Sequence, residues 1–236
     1  MYICRQNKNR GKYAAFLSSS RFCGILFPVK SEMGHAGDGF MAEISWDLFH
    51  SQVDRCAMCG LARTATHKVP GQGDPCAPLM LIGEGPGQAE DEQGLAFVGA
   101  AGQLLTRMLA AIRLPRDRVY IANIVKCRPP HNRVPTEEEA RACLLHLRMQ
   151  VALIRPKVIL LLGATAARYA LDPNIRITRD RGIWVERKGV WMMPTYHPSA
   201  LLRDPEKKKE AWEDMKSLRN RLIQLGLYKE IYSEGV

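Results

Sequence analysis

No apolar run in this 236-residue chain approaches the roughly 18 residues that a bilayer-spanning helix needs, so nothing in the sequence supports a membrane-embedded role. Nucleotide signatures are missing as well. The stretch "GEGPGQAEDEQG" lacks the Gly-Lys-Ser/Thr of a phosphate loop, and Pro86 interrupts any dinucleotide fingerprint. Four acids (Glu84, Glu90, Asp91, Glu92) would repel phosphate there. Its glycines suit backbone N–H groups pressing against a flat neutral ligand, or simply a tight loop. Acidic residues are scarce overall, 24 against 34 Lys and Arg. The resulting charge of +10 favours a polyanionic partner, nucleic acid first, although a solvated basic face would look the same. Seven cysteines form no tight lattice, and the odd count argues against a disulfide scaffold. A reducing compartment with some thiols bound to metal is the better reading.

The remaining composition, 46% hydrophobic and 25% charged, is ordinary for a globular chain able to bury one core. Residues 1–41 are basic, Ser-rich and without periodicity. They are expected to be a disordered extension, either transit-like or upstream of a start at Met33 or Met41. The domain is expected to span 42–236. Within it, "PLMLIGEG", "RVYIANIV" and "KVILLLG" read as buried strands. "AGQLLTRMLAAI" sets Leu104, Leu105, Met108, Leu109 and Ile112 at helical spacing. Thr136 and Glu139 form a capping box ahead of a stripe of Ala140, Leu144, Leu147, Val151 and Ile154. "GIWVERKGVWMMPTYH" predicts a hairpin turning at Lys188-Gly189. A last helix is expected from Asp204-Pro205, burying Ala211, Met215, Leu218, Leu222 and Leu225. Alternating strands and helices predict a three-layer α/β/α domain with a mostly parallel central sheet. Ligands in such folds bind beyond the carboxyl ends of the strands. "GEGPG", "NIVKCRPPHNR" and "YHPSALLR" all fall there, which points to one shared site.

Cys56 and Cys59 make a C-x2-C pair, and Cys127 and Cys143 follow on distant elements. Two close thiolates plus two distant ones can surround zinc or an iron–sulfur cluster equally well. Cys4, Cys23 and Cys76 stand outside this pattern and are expected to be free thiols. Asn123 ends an apolar strand, and its carboxamide offers a donor and an acceptor side by side, matching the edge of a base. Phe97 could stack on such a base, and His197 sits in a loop. Each of these alone is more often structural; together they are a candidate site.

These motifs together resemble the family-4 uracil-DNA glycosylases, the iron–sulfur type of bacteria and archaea. The resemblance is carried by "GEGPG", "EDEQGLAFVGAAGQLL", "NIVKCRPPHNR", the four-cysteine spacing and "HPSALLR", over roughly residues 42 to 227. It implies a uracil-DNA glycosylase-like fold and a 4Fe–4S cluster on Cys56, Cys59, Cys127 and Cys143. It implies hydrolysis of the N-glycosidic bond of flipped uracil, leaving an abasic site for base excision repair. By resemblance, Gly83, Glu84 and Gly85 line the uracil pocket, Phe97 stacks on the base and Asn123 reads its edge. His197 donates to a base carbonyl, with Pro198 restraining it. Glu84, Asn132 and His197 form the expected catalytic set, with Glu90 and Asn132 at the pocket floor or holding water. Leu201 is the expected wedge in the DNA duplex, and Arg203 meets phosphate.

Two departures stand out. Gln88 replaces a glutamate common among relatives, and Ala100 replaces the arginine of "FVGRAG". Gly85 occupies the place where other glycosylase families carry an activating aspartate. The implied partner is uracil-containing DNA, single- or double-stranded, met by a monomer in a prokaryotic cytoplasm, associated with the nucleoid. Two other readings are a same-fold glycosylase for another deaminated base and a non-catalytic metal-bearing DNA-binding protein. His131 lies in "CRPPHNRVP" without the inserted basic loop of the cross-linking branch.

Overall fold

Apolar runs with no polar interruption become the central strands, because only a sheet covered on both faces can bury them. The computed structural model describes residues 44–231, so the extension expected at 1–41 lies outside the described residues. In chain order the elements are α1 (Trp46–Asp54), β1 (Gln72–Gly73), β2 (Leu79–Gly83), α2 (Gln88–Gln93), α3 (Ala100–Ala111), β3 (Tyr120–Asn123), α4 (Glu137–Ile154) and β4 (Val158–Leu162). They continue with α5 (Gly163–Ala170), α6 (Ile177–Asp180), β5 (Val185–Arg187), β6 (Val190–Thr195), α7 (Pro198–Arg203), α8 (Lys208–Gln224) and α9 (Tyr228–Ile231). The sheet order is β1-β3-β2-β4-β6-β5. The inner strands β3, β2, β4 and β6 run parallel, and the edge strands β1 and β5 are antiparallel.

Side chains alternate across this sheet into two cores. Met80, Ile82, Ala122 and Leu161 pack on the face covered by α4 and α5. Leu79, Leu81, Ile121 and Leu160 pack on the face covered by α3 and α8. This is the expected three-layer arrangement. The chain leaves β2 for β3 on one side and reaches β4 on the other, so the carboxyl end of β2 is a topological switch point. Gly83 ends that strand, and Asn123 is its register partner on β3.

Local signals in the sequence account for the elements that frame this point. Thr136 Oγ1 accepts the Glu139 N–H at 3.2 Å and Glu139 Oε2 accepts the Thr136 N–H at 2.8 Å, closing the capping box of α4. Arg133 forks the same carboxylate and holds its pKa down to about 2. The predicted α4 stripe is buried throughout. Lys188 and Gly189 both take positive φ and join β5 to β6 in a two-residue turn.

The last helix differs from expectation. Asp204-Pro205 opens a separate turn of 3-10 helix over Pro205–Lys207, and α8 begins only at Lys208. Leu225 follows the helix and is exposed, because its turn has passed the edge of the core that holds Leu218 and Leu222.

Candidate active site and cysteine centre

At the switch point, side chains from distant segments press against one glycine. A Cβ on residue 83 would lie 2.5 Å from Asn123 Oδ1 and 2.5 Å from the ring tip of Phe97. Only glycine lets both approach. Asn123 is 1% exposed, and its Oδ1 has no hydrogen-bond partner. A buried acceptor left unmatched costs about 1–3 kcal/mol, so it marks a place where a ligand donor would be gained.

Phe97 holds φ 54°, a strained value for an aromatic residue, and the loop around it is pinned from several directions. The Ala96 carbonyl accepts from Gln72 Nε2 and from Arg116 Nη2, both at 2.7 Å. The buried Glu90 carboxylate accepts the N–H groups of Gly87, Val98 and Gly99 at 3.0, 2.9 and 2.8 Å. Glu90 is therefore a staple for the Phe97 loop, with its oxygens committed to backbone.

His197 faces Phe97 with ring centroids 5.7 Å apart. Its Nδ1 accepts the Ser199 N–H at 3.1 Å and lies 2.8 Å from Ser199 Oγ. Burial first, then the charge of Arg203, pushes its pKa down to about 4. The ring is thus neutral at ordinary pH, and with Nδ1 accepting, the proton sits on Nε2. Gly163, at φ +91°, opens α5 beneath it; a Cβ there would meet His197 Cβ at 2.9 Å. The Glu84 carboxylate accepts the Thr165 hydroxyl across the same crevice. The carbonyls of Gly83 and Glu84 take the N–H groups of Ile124 and Val125, which fixes the "GEG" loop and Gly85 to the end of β3.

Two expected positions do not join this group. Asn132 is exposed at φ 55°, and its Oδ1 accepts from Arg128 Nε at 2.7 Å, so its carboxamide is turned to the surface rather than to the pocket floor. Leu201 is 2% exposed and packs with Tyr196 and Ala211, whereas Leu202 is 42% exposed. A side chain buried in the core cannot enter a duplex, so the wedge expectation for Leu201 is corrected. Arg203 is exposed on the same short helix.

Cys56, Cys59, Cys127 and Cys143 line one cavity, with His146 in the same wall. Burial and the neighbouring cysteines push the Cys127 thiol up to about 12, and burial pushes Cys143 up to about 11. Cys76 stands outside this wall and is disulfide-bonded, against the expectation of a free thiol there.

Lys126, one residue before Cys127, was not anticipated. It is 1% exposed. Its backbone N–H donates to Cys143 Sγ at 3.3 Å, and its Nζ donates to the Asn123 carbonyl at 2.8 Å and to Gln150 Oε1. The cavity and the switch point are thereby joined through one residue. The only signal in the sequence was a lysine inside the apolar run "NIVKC".

Residues 70–216 match the model of the Uracil DNA glycosylase superfamily. The chain is 43% identical over 200 residues to a Type-4 uracil-DNA glycosylase of Sulfurisphaera tokodaii, covering 81% of this chain and 91% of that protein. It is 42% identical to the Type-4 uracil-DNA glycosylase of Archaeoglobus fulgidus, over 74% of this chain and 92% of the relative. Against the same enzyme type of Thermotoga maritima the identity is 41%, with 76% and 96% covered.

Proposed function

The chain belongs to the type-4 uracil-DNA glycosylases of the uracil DNA glycosylase superfamily, and on that premise we propose how its own residues carry out the excision. The protein is a DNA-repair hydrolase that cleaves the N-glycosidic bond of uracil. The observation that carries the assignment of roles is the buried, unmatched Oδ1 of Asn123 beside Phe97 and His197.

Uracil presents an imide N–H next to a carbonyl. Asn123 Oδ1 accepts that N–H, its amide donates to the adjacent carbonyl, and Phe97 stacks on the ring. His197 Nε2–H points at a base carbonyl that gains negative charge as the bond breaks. A fixed donor there stabilises the departing anion without a protonated histidine. Glu84, held by Thr165, sets a carboxylate where positive charge develops on the sugar. Asn132 has no role in this account, and Glu90 acts by holding the Phe97 loop.

The four cysteines are the donors for a 4Fe–4S cluster. Four thiols lining one cavity, with an N–H already aimed at one sulfur, support this reading. When bound, such a cluster supplies a covalent tie between segments distant in sequence. Iron and sulfide analysis, with an absorbance band near about 400 nm, tests this against zinc.

Uracil-containing DNA is the substrate class, and the excess of basic over acidic residues supports binding to its phosphates. Among the described residues, no helix is long and apolar enough to cross a membrane. Leu202, exposed next to Arg203, takes the wedge role. Release of free uracil from labelled single-stranded and duplex oligonucleotides is the decisive assay; its absence would leave a binding protein.

Two expected outcomes follow from these assignments. Arg203→Ala should flatten the salt dependence of DNA affinity by about one unit of slope per lost phosphate contact, with all sequences affected alike. An unchanged slope would mean that Arg203 makes no phosphate contact. Asn123→Asp should weaken uracil processing by about 1–3 kcal/mol or more, because an ionised carboxylate keeps the acceptor but faces the uracil carbonyl with negative charge. The same change should favour cytosine, whose amino group is a donor. Wild-type uracil kinetics in this variant would remove Asn123 from base reading.

A further inference from the structure

His146 sits on α4 one turn beyond Cys143, within a stretch where the sequence signals nothing but core. Its ring is 2% exposed, and neither Nδ1 nor Nε2 has a hydrogen-bond partner. An imidazole carries at least one N–H, so a buried donor is left unmatched, and such a group bears the whole cost of its lost hydration. An apolar residue would serve a plain core position better. The wall that holds His146 also holds Cys56, Cys59, Cys127 and Cys143. Lys126 and Lys68 also line this cavity, and both are donors, so they offer the ring no acceptor. Burial and these two cations keep the ring neutral. Sulfur is the acceptor the cavity would present. Cysteine thiolates and bridging sulfides accept hydrogen bonds, and such bonds help set the reduction potential of iron–sulfur clusters.

We propose that His146 is a positioning residue of the cysteine centre, donating a ring N–H to a sulfur of the cluster that the four cysteines hold. The inference rests on the cluster assignment above. The Lys126 N–H to Cys143 Sγ is already one such donor. His146 adds a second from the helix that carries Cys143. A hydrogen bond to sulfur withdraws electron density and favours the reduced cluster, so its loss should move the potential to more negative values.

The test uses the purified, cluster-loaded protein. Metal and sulfide analysis first establishes the cluster; a zinc-only protein would overturn both readings at that step. With the cluster present, resonance Raman bands of the Fe–S stretches should shift on exchange into heavy water. His146→Leu should lose part of that shift and show a more negative midpoint potential. His146→Gln, which retains an N–H donor, should recover much of both. Equal isotope shifts and equal potentials in wild type and His146→Leu would overturn the proposal while leaving the cluster assignment intact.

A measurement on the wild-type chain covers the case in which His146→Leu fails to fold. With histidine labelled by nitrogen-15, the reduced cluster should show a weak nitrogen coupling, as expected through a hydrogen bond. No coupling overturns the proposal. A strong coupling also overturns it, because His146 would then be a direct ligand to iron.

Discussion

His197→Ala should slow single-turnover release of uracil by about 100- to 1,000-fold while duplex affinity changes little. In the proposed pose the base carbonyl facing Nε2 is close to neutral in the bound substrate and becomes anionic only as the glycosidic bond breaks. The hydrogen bond therefore strengthens toward the transition state, which is where its loss is felt. Affinity rests mainly on phosphate contacts that this substitution leaves alone.

The ring's surroundings add a pH condition. Its pKa lies near 4 against an ordinary value of about 6.5, because burial and Arg203 disfavour the cation. Between these two values the folded ring stays neutral while the unfolded one would take up a proton. This residue's contribution to stability is thus present above about pH 6.5 and lost as pH falls toward 4. Across the window above pH 6 the wild-type rate should show no inflection from His197. An inflection near pH 6.5 that disappears in His197→Ala would mean that the imidazolium is the working form. Equal falls in rate and affinity, with cluster absorbance unchanged, would make His197 structural.

The strands and the capping box were legible because each depends on short-range pattern. β4 is an unbroken apolar run, and Thr136 with Glu139 satisfies helix N–H groups within one turn. The site was legible only as a set of motifs at strand ends. That Gly83, Phe97, Asn123 and His197 meet follows from the switch in strand order, which no local window contains. Leu201 and Leu202 show the limit most plainly. They are chemically identical neighbours, and which one is buried depends on how α7 docks beside Tyr196 and Ala211. Asn132 was placed by its motif, yet its left-handed backbone turns the carboxamide to Arg128. His146 and Lys126 carried almost no signal, because a polar residue inside an apolar stretch gains meaning only from what lies across the cavity.

Cys127→Ser should lose iron and soluble protein together. Cys56 and Cys59 follow α1, Cys127 follows β3, and Cys143 belongs to α4, so a centre held by all four, as proposed, would close long stretches of chain. The unfolded chain has no preformed site, and metal binding energy is therefore folding energy. A serine hydroxyl is a poor substitute for a thiolate, and Cys127 is buried, so solvent cannot readily complete the coordination.

The damage should also reach the base-reading residues. Lys126 is held between Cys143 Sγ and the Asn123 carbonyl, so a loosened centre frees the end of β3 from which Asn123 projects. Mild iron removal from the wild-type protein should lower the absorbance near about 400 nm and the thermal midpoint together, with uracil release falling as the end of β3 loosens. Full iron content and an unchanged midpoint in Cys127→Ser would exclude this cysteine as a ligand. Full iron loss with undiminished uracil release would sever the link through Lys126.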